Sequence, residues 1–564
     1  MLVLWRMITA ELLATIPLFA PLSAERLAHV ATHAADITLE PGEYLVHEGE
    51  TPSFFVVIDG RLEVTKRVGT IERVLGTRER GDTFGEVPLV LGAATFANAR
   101  AAAPSRVTRL DNVTFRELLH ESPVLSAAVM QSVSERIRDL ERVTTEIPSA
   151  DVIIVGRRWD PACHDIRDFL ARTQIAFEWI EPGDPHLHER VPEAKAHIDE
   201  CPLVRTNDGR LLVMPTRREL ACAIGLRVDP EHDAYDLVVA GGGPSGLAAA
   251  VYGASEGLAT LMVEREAPGG QAGTSSRIEN YLGFPAGLSG GDLAERAYRQ
   301  ATRLGAEIVV TRNVTAIEPD GDEHVVRLDG GDTIRARAVV ITAGVTWRNL
   351  PIDGIEPLIG RGIYYGAART EAIATSGKDV YLVGGGNSAG QAAVFFANYA
   401  RSVNIVIRGK SLEHTMSRYL IDQLERKHHV VHVLPESEIT AVEGEDHLRA
   451  ITVRHRNGSE ERFETDALFV FIGADPQTGW LPPEIVRDPD GYVLTGRDMQ
   501  RDPRASWPLE RDPYLLETSV PRIFAAGDVR HDSIKRVAAA VGEGSMAIAF
   551  VHQALAPDPE HAHA

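Results

Sequence analysis

Short apolar runs that end in glycine alternate with alanine-rich stretches through the second half of the chain. Leu237 to Ala240 runs straight into Gly241-x-Gly243-x-x-Gly246, a helix is predicted from about Ser245, and a second apolar strand, Thr260 to Val263, ends in Glu264. The pattern then recurs. Asp379 to Val383 leads into Gly384-x-Gly386-x-x-Ala389, a helix follows from about Ser388 to Tyr399, and the strand Val403 to Ile407 ends in Arg408. Upstream, strand Val152 to Val155, helix Asp165 to Thr173 and strand Phe177 to Ile180 predict a small α/β module over 151–226, with Cys222 in its core. Earlier still, Phe54 to Ile58 and Leu62 to Thr65, joined by Asp59-Gly60-Arg61, carry a hairpin signal. A helix over Val124 to Val143 places Val129, Val133, Ile137 and Leu140 at helical spacing. The apolar opening, Leu12 to Ala20, reads as a packed helix and not a secretory signal, since Glu11 and Arg6 break its run.

The two glycine repeats carry chemistry. In such a β-α-β unit the first glycine makes a tight turn, the second lets the backbone approach a pyrophosphate, and the third lets helix and strand pack closely. The helix N-terminus then offers unpaired N–H groups to the phosphates. Gly241, Gly243, Pro244, Ser245 and Gly246 are therefore expected to hold one dinucleotide, with Glu264, 18 residues past Gly246, accepting from an adenosine ribose. Gly384, Gly386, Asn387, Ser388 and Ala389 are expected to hold a second. There the second strand ends in a guanidinium, Arg408, which favours a 2′-phosphate and hence NADPH over NADH, assisted by Lys410 and Arg418. The plain alternative is that Arg408 is a solvated surface residue.

From about 233 to 556 the chain resembles the low-molecular-weight thioredoxin reductases. The matching stretches are Gly269-Gly270-Gln271, Ile278-Glu279-Asn280-Tyr281, Ile341-Thr342-Ala343-Gly344 and Phe524-Ala525-Ala526-Gly527-Asp528-Val529. The resemblance implies an FAD domain in two halves, 233–348 and 476–556, around an inserted NADPH domain, 349–475. It implies that Gly270, Gln271, Asn280, Gly344, Gly527 and Asp528 join the first repeat and Glu264 around FAD, with Arg536, Val537 and Ala538 near the flavin ring. It also implies a homodimer. The departure is at the dithiol with which the reductases open the inserted domain. Here Gly366 and Arg369 stand at the cysteine positions and Thr370 at the acid, so that route to thioredoxin is closed. The expected function is NADPH-dependent reduction of FAD, with electrons passed to an unidentified disulfide, redox protein or quinone-like acceptor. The alternatives are a flavin- and nucleotide-based sensor acting through the N-terminal domain, and a disulfide reductase using Cys163 with Cys201.

That N-terminal part, 1–145, resembles a cyclic-nucleotide-binding domain of the catabolite-activator type. Gly81-Asp82-Thr83-Phe84-Gly85-Glu86 matches the start of the phosphate cassette, but Phe96 stands where its arginine belongs and Arg100 is a poor substitute. Without that charge-assisted pair tight binding of a cyclic nucleotide is doubtful, and docking, dimerisation or sensing are expected instead. In the module, Trp159-Asp160-Pro161-Ala162-Cys163 resembles the Cys-Pro-x-Cys turn of glutaredoxins with Asp160 for the nucleophile, and Cys201-Pro202 the neighbouring cis-proline element. A structural Cys163 is set against a Cys163–Cys201 redox pair.

The remaining composition narrows partners. A formal charge of −22 over 564 residues argues against nucleic acid. Three cysteines with no zinc spacing argue against a metal centre and a disulfide framework, and no run approaches a membrane span. A cytoplasmic protein is expected. Val228 to Ala234 reads as a polar linker, Arg497 to Asp512 as a solvated loop in which Trp507 could meet a partner, and the tail from Ala556 as frayed. The fold class is thus multidomain: a β jelly-roll with flanking helices, a small thioredoxin-like α/β module, and paired Rossmann-like FAD and NADPH domains.

Overall fold

The structure, a computed structural model, describes residues 8–68, 71–145, 152–275, 277–285, 287–366 and 375–556. The chain forms two compact units that divide between Asp151 and Val152. Among the described residues no helix is long and apolar enough to cross a membrane.

The first unit is a jelly-roll. Strands β1 (Ala35–Leu39), β2 (Tyr44–Val46), β3 (Phe54–Asp59), β4 (Arg61–Val68), β5 (Ile71–Glu79), β6 (Thr83–Phe84), β7 (Asn98–Ala101) and β8 (Ser105–Leu110) form two antiparallel sheets, β1-β8-β3-β6 and β2-β7-β4-β5. β3 is apolar on both faces because both are covered. Phe55 and Val57 pack in the core with Leu62 and Val64 of the second sheet, while Phe54, Val56 and Ile58 meet the helices, Phe54 stacking on Phe115 at 4.6 Å.

Two sequence expectations fail here. β3 and β4 do not pair as a hairpin. At Gly60, with φ +90°, the chain crosses between sheets, and a Cβ there would lie 2.5 Å from Pro104 O. The opening helix is also short. α1 (Ala10–Ala14) is capped by Thr15, and Ile16 precedes Pro17, which disfavours further helix before Ala20. The long helix α2 (Pro123–Thr145) forms where expected and buries Leu125, Val129 and Val133.

The second unit opens with the small module. Strands β9 (Val152–Val155), β10 (Phe177–Ile180), β11 (Leu203–Thr206) and β12 (Leu211–Val213) make a sheet of order β10-β9-β11-β12, parallel between β9 and β10 and antiparallel elsewhere. Helix α3 (Pro161–Arg172) starts earlier than its apolar pattern predicts, because Asp160 accepts the Cys163 N–H at 3.0 Å and Pro161 suits the first helical position. The Cys201–Pro202 peptide is cis. In α4 (Arg217–Ala223) Leu220 and Ala221 are buried and Cys222 is exposed, so Cys222 is not core: it falls on the helix face opposite to its apolar neighbours.

Next comes a sheet of order β15-β14-β13-β18-β17-β16, built from β13 (Ala234–Ala240), β14 (Thr260–Val263), β15 (Glu307–Val309), β16 (Val314–Asp320), β17 (Glu323–Leu328) and β18 (Thr333–Ile341). Ile523–Ala525 returns to pair parallel with β18. Between them the chain leaves and re-enters through an antiparallel pair, Val345–Trp347 with Ala474–Pro476. This pair brackets a parallel five-stranded sheet and a separate three-stranded one. Helices α5 (Pro244–Ser255) and α6 (Asn387–Phe396) follow the two glycine turns. The stretch Arg497 to Asp512 is anchored, against expectation. It contains α7 (Gly496–Gln500), Trp507 packs beside Val486, Leu494 and Met499, and Arg511 lies over the Trp507 and Tyr514 rings while pairing with the fully buried Glu517 at 2.7 Å.

Charge welds the module to the large sheet. Arg312, its side chain 1% exposed, meets Asp229 at 2.5 Å, Asp329 at 3.0 Å and Asp332, and donates to Val228 O, so the linker is pinned. Arg218 of α4 donates to Thr311 O and Asp329.

His324 of β17 gives a pH test. It is 3% exposed, and burial, then the Arg522 guanidinium, hold its imidazole down at about 4 from an ordinary 6.5. Above 6.5 the ring is neutral folded or unfolded. As pH falls from 6.5 to 4 the unfolded chain takes a proton the folded one refuses, and up to about 3 kcal/mol of stability is lost. Unfolding curves across this window should therefore fall less steeply for His324→Leu than for the parent chain.

Candidate functional site

Each glycine turn places one atom where a side chain would not fit and one where it would. At the first, a Cβ on Gly246 would lie 1.9 Å from Gly241 O, and one on Gly241 2.5 Å from Thr342 O. Thr342 also donates to Gly241 O at 2.7 Å. From the far side, a Cβ on Gly544 would lie 2.1 Å from Ser245 O, which lets α8 (Val537–Leu555) lie against α5. A Cβ on Gly243, in contrast, meets nothing within 4 Å, and Gly243 has an ordinary extended φ of −69°. The second turn repeats this. A Cβ on Gly384 would lie 2.3 Å from Phe471 O, while one on Gly386 meets nothing. Both helices begin with no side-chain cap, so their first N–H groups and positive dipole ends are unspent.

The first turn and the head of α6 reach one cleft of about 1150 Å3, above the ~300–1,000 Å3 usual for small-molecule sites. Gly241, Gly243, Pro244, Ser245, Glu264, Gly270, Gln271, Gly344, Asp528 and Val537 line it, as does Ser388 at the head of α6. Gly246 and Gly527 form the packing behind its wall. Asn280 and Ala538 are exposed and outside the lining; the half-buried Gly384, Gly386 and Asn387 and the fully buried Ala389 are outside it too, and Asn387 accepts the Ser417 N–H at 2.7 Å. Arg408 is exposed and makes no ion pair or side-chain hydrogen bond among the described residues, whereas Arg418 is engaged with Asp422 at 2.8 Å. Gly366 lies in the cleft wall, 3.5 Å from Trp347 Nε1 by its Cβ position. Arg369 and Thr370 lie outside the described residues.

The cleft's acids differ in burial. Glu264 is 6% exposed and accepts the Gly242 N–H at 2.6 Å and the Glu266 N–H at 2.8 Å. Burial pushes its carboxyl up, against those two N–H groups and Arg172. Asp528 is likewise pushed up by burial, opposed by Lys535, whose ammonium donates to Asp528 O at 2.5 Å and lies over the Tyr492 ring. Glu543 holds the turn from below, accepting from Gly527 N–H at 2.7 Å and Arg530 at 2.5 Å.

Residues that no motif flagged also line the cleft. Pro161, His164, Asp165, Asp168 and Arg172 present one face of α3, and Arg217 comes from α4. Their spacing of three and four is a helical stripe, visible in the sequence only as a polar one. The turn ahead of α3 and the helix itself also reach the segment between Trp347 and Ala474, where Trp159 stacks on His447 at 4.9 Å and His164 lies 5.2 Å from Tyr364.

The module's two candidate redox cysteines face no open space. Cys163 is fully buried, and burial, then Asp160, push its thiol up to about 12; Cys201 is buried, is pushed up for the same first reason, and donates to Ile198 O at 3.3 Å. Both are held as thiols, the unreactive form. Among the described residues Glu231, His232 and Glu307 bring potential metal-ligand atoms within 4.8 Å, but Glu307 is already taken by Arg227 and Tyr235. In the first unit Glu86, fully buried, pairs with Arg136 of α2 at 2.8 Å and accepts from Ser132 at 3.1 Å, while Arg100 pairs with Glu63.

Comparison with known proteins agrees with this geometry. Residues 36–122 match the cyclic nucleotide-binding domain, and residues 235–544, more than half the chain, match the pyridine nucleotide-disulphide oxidoreductase family. A Clostridium pasteurianum relative, described as a 34.2 kDa protein in the rubredoxin operon, is 34% identical over 319 residues, covering 56% of this chain and 96% of the relative. The thioredoxin reductase of Bacillus subtilis is 32% identical over 319 residues, 56% of this chain and 93% of its own. The crystal structure of T. acidophilum thioredoxin reductase superposes with a TM-score of 0.51 at 26% identity, covering 58% of this chain and all of that one. The chain therefore belongs to the pyridine nucleotide-disulphide oxidoreductase family, as a thioredoxin reductase-like FAD-dependent oxidoreductase that carries a cyclic nucleotide-binding domain ahead of it.

Proposed function

We propose that the chain oxidises NADPH through FAD and passes the electrons to an acceptor outside itself. The observation that carries this is the convergence of two uncapped helix heads, each behind a glycine with open space at its Cβ, one lining the cleft through Ser245 and the other through Ser388. That donor set fits two pyrophosphates, which need N–H groups and close backbone approach. When bound, the nicotinamide and flavin supply two-electron transfer. The chain's own residues bind and orient. Gly243 and the head of α5 would hold the FAD diphosphate, Glu264 the adenosine ribose, and Asp528 the ribityl side. Gly386 and the head of α6 would hold the NADPH diphosphate, with Arg408 on the 2′-phosphate. Trp347, Tyr364 and Phe471 wall the cleft and exclude water.

The acceptor is a small molecule or a separate redox protein. The sequence has no cysteine beyond Cys222, and the two buried thiols of the module are poor nucleophiles. The module is read as a thioredoxin-like scaffold. The jelly-roll is read as a docking or sensing domain, since Glu86 is held by Arg136 and Phe96 replaces the cassette arginine. By kinship the protein is read as a cytoplasmic homodimer.

Four outcomes follow from this reading. Anaerobic stopped-flow should show the bound flavin bleaching faster with NADPH than with NADH, and an intact flavin under excess NADPH would sink the proposal. Arg408→Ala should raise KM for NADPH about tenfold, ~1.4 kcal/mol of a charge-assisted contact, with little change for NADH. Gly243→Val should leave the apoprotein's melting unchanged yet abolish flavin retention, because its side chain enters space that only a ligand uses. Cys163→Ser should leave NADPH oxidation with any working acceptor at the parent rate.

A further inference from the structure

Helix α3 belongs to the small module, yet its C-terminal residue reaches the FAD end of the cleft. Arg172 pairs through Nη1 with Glu266 at 2.5 Å, lies 3.7 Å from Asp168, and donates through Nη2 to Gly270 O at 3.5 Å. Its side chain is 13% exposed and lines the same cavity as Gly243, Ser245 and Glu264. Gly270 sits with φ +52° on the G-x-G loop, where a Cβ would lie 3.1 Å from Gly243 Cα. One guanidinium thus touches Glu266, two residues past Glu264, and the turn that backs the phosphate loop.

We propose that Arg172 is a positioning residue of the FAD site, holding Glu264, Glu266 and the Gly270 turn in the arrangement that grips the adenosine end of the cofactor, so that FAD retention depends on the docked α/β module. The proposal rests on the cleft being the FAD site. Its chemistry is charge balance. Glu264 can accept from both ribose hydroxyls only as a carboxylate, and a fully buried carboxylate needs a nearby cation. Several charged groups face it. Asp165, Asp168 and Arg172 come from α3, and Arg217 from α4. Arg265 and Glu266 come from its own segment, and Arg312 contributes a backbone N–H to Glu264 O. Arg217 is committed to Asp165 at 2.7 Å, and Arg312 to Asp229, Asp329 and Asp332. Arg265 is 43% exposed on its side chain and 3.8 Å from Glu266. Arg172 is the cation of the group paired with Glu266, and it favours the ionised form of both Glu264 and Glu266.

The test uses the full chain stripped of flavin and titrated with FAD by fluorescence from pH 8 to pH 5. In the parent, affinity should hold and then fall as Glu264 protonates. Arg172→Met should weaken FAD about tenfold at neutral pH and begin its fall at a higher pH, while Arg172→Lys should keep the parent's profile. Equal affinity and profile for Arg172→Met, or a uniform loss at every pH that Arg172→Lys does not rescue, would overturn the inference. Should Arg172→Met not fold, Glu266→Gln decides. It leaves Glu264 as the neighbouring carboxylate of Arg172 on that segment, so the fall should move to lower pH, and an unmoved profile would again overturn it. A parent chain that takes up no flavin at any pH removes the FAD reading itself, which is distinguishable from a parent that binds and variants that bind alike.

Discussion

The large unit depends on the absence of a Cβ at a few points where three elements meet. Gly246 lets α5 close on the end of β13, Gly241 lets that turn close on Thr342 after β18, and Gly544 lets α8 close on Ser245. Contacts of 1.9 to 2.5 Å to a hypothetical Cβ leave no room for repacking by side-chain rotation, since the obstructing atoms are backbone carbonyls. The consequence is directional. Locked between β13, β18 and α8, α5 points its uncapped N-terminus into the cleft and nowhere else. The same device at Gly384 and Phe471 aims α6. Open space at Gly243 and Gly386 is therefore a by-product of tight packing around them.

Such a site concentrates charge that must be balanced inside the protein. Glu264, Glu517 and Glu86 are buried and Asp528 is half-buried, and burial of a carboxylate is tolerated only where N–H groups or cations surround it. Each has its own solution. Glu264 takes two backbone N–H groups and the field of Arg172. Glu517 takes Arg511 and the N–H groups of Tyr514 and Arg522, which turns a charge-rich stretch into a fixed surface. Arg312 works in the opposite sense, as a buried cation with three carboxylates around it. Through it and Arg218 the module becomes part of the wall of the oxidoreductase unit, and the unit is built as one body from Val152 onward.

The jelly-roll reuses a ligand-binding architecture with altered contents. Glu86 of the cassette stretch is met by Arg136 and Ser132 of the domain's own C-terminal helix. Gly85 beside it is demanded by packing, because a Cβ would lie 1.9 Å from Ser53 O. The sheet fold survives such changes because its core, Phe55, Val57, Leu62, Val64 and Val107, is independent of the cassette.

What the sequence by itself determined was local and periodic: both glycine turns with their flanking strands and helices, and the acid that ends the second strand, Glu264, while the jelly-roll class came with the resemblance of its cassette stretch. These are set by φ preferences, alternation and spacing within about thirty residues, which a single chain displays. Pairing was not so displayed. Asp59-Gly60-Arg61 looks like a hairpin because a hairpin and a sheet-to-sheet corner need the same turn residue, and only the positions of Pro104 and Ser105 separate them. Arg497 to Asp512 looks solvated because mixed charge hides the partner, Glu517, that neutralises Arg511. The polar stripe of α3 reads as a water-facing surface until the fold lays it against Glu266 and Gly270, about a hundred residues away. Contacts at that range are fixed by how packed elements meet, and tertiary structure alone decides them.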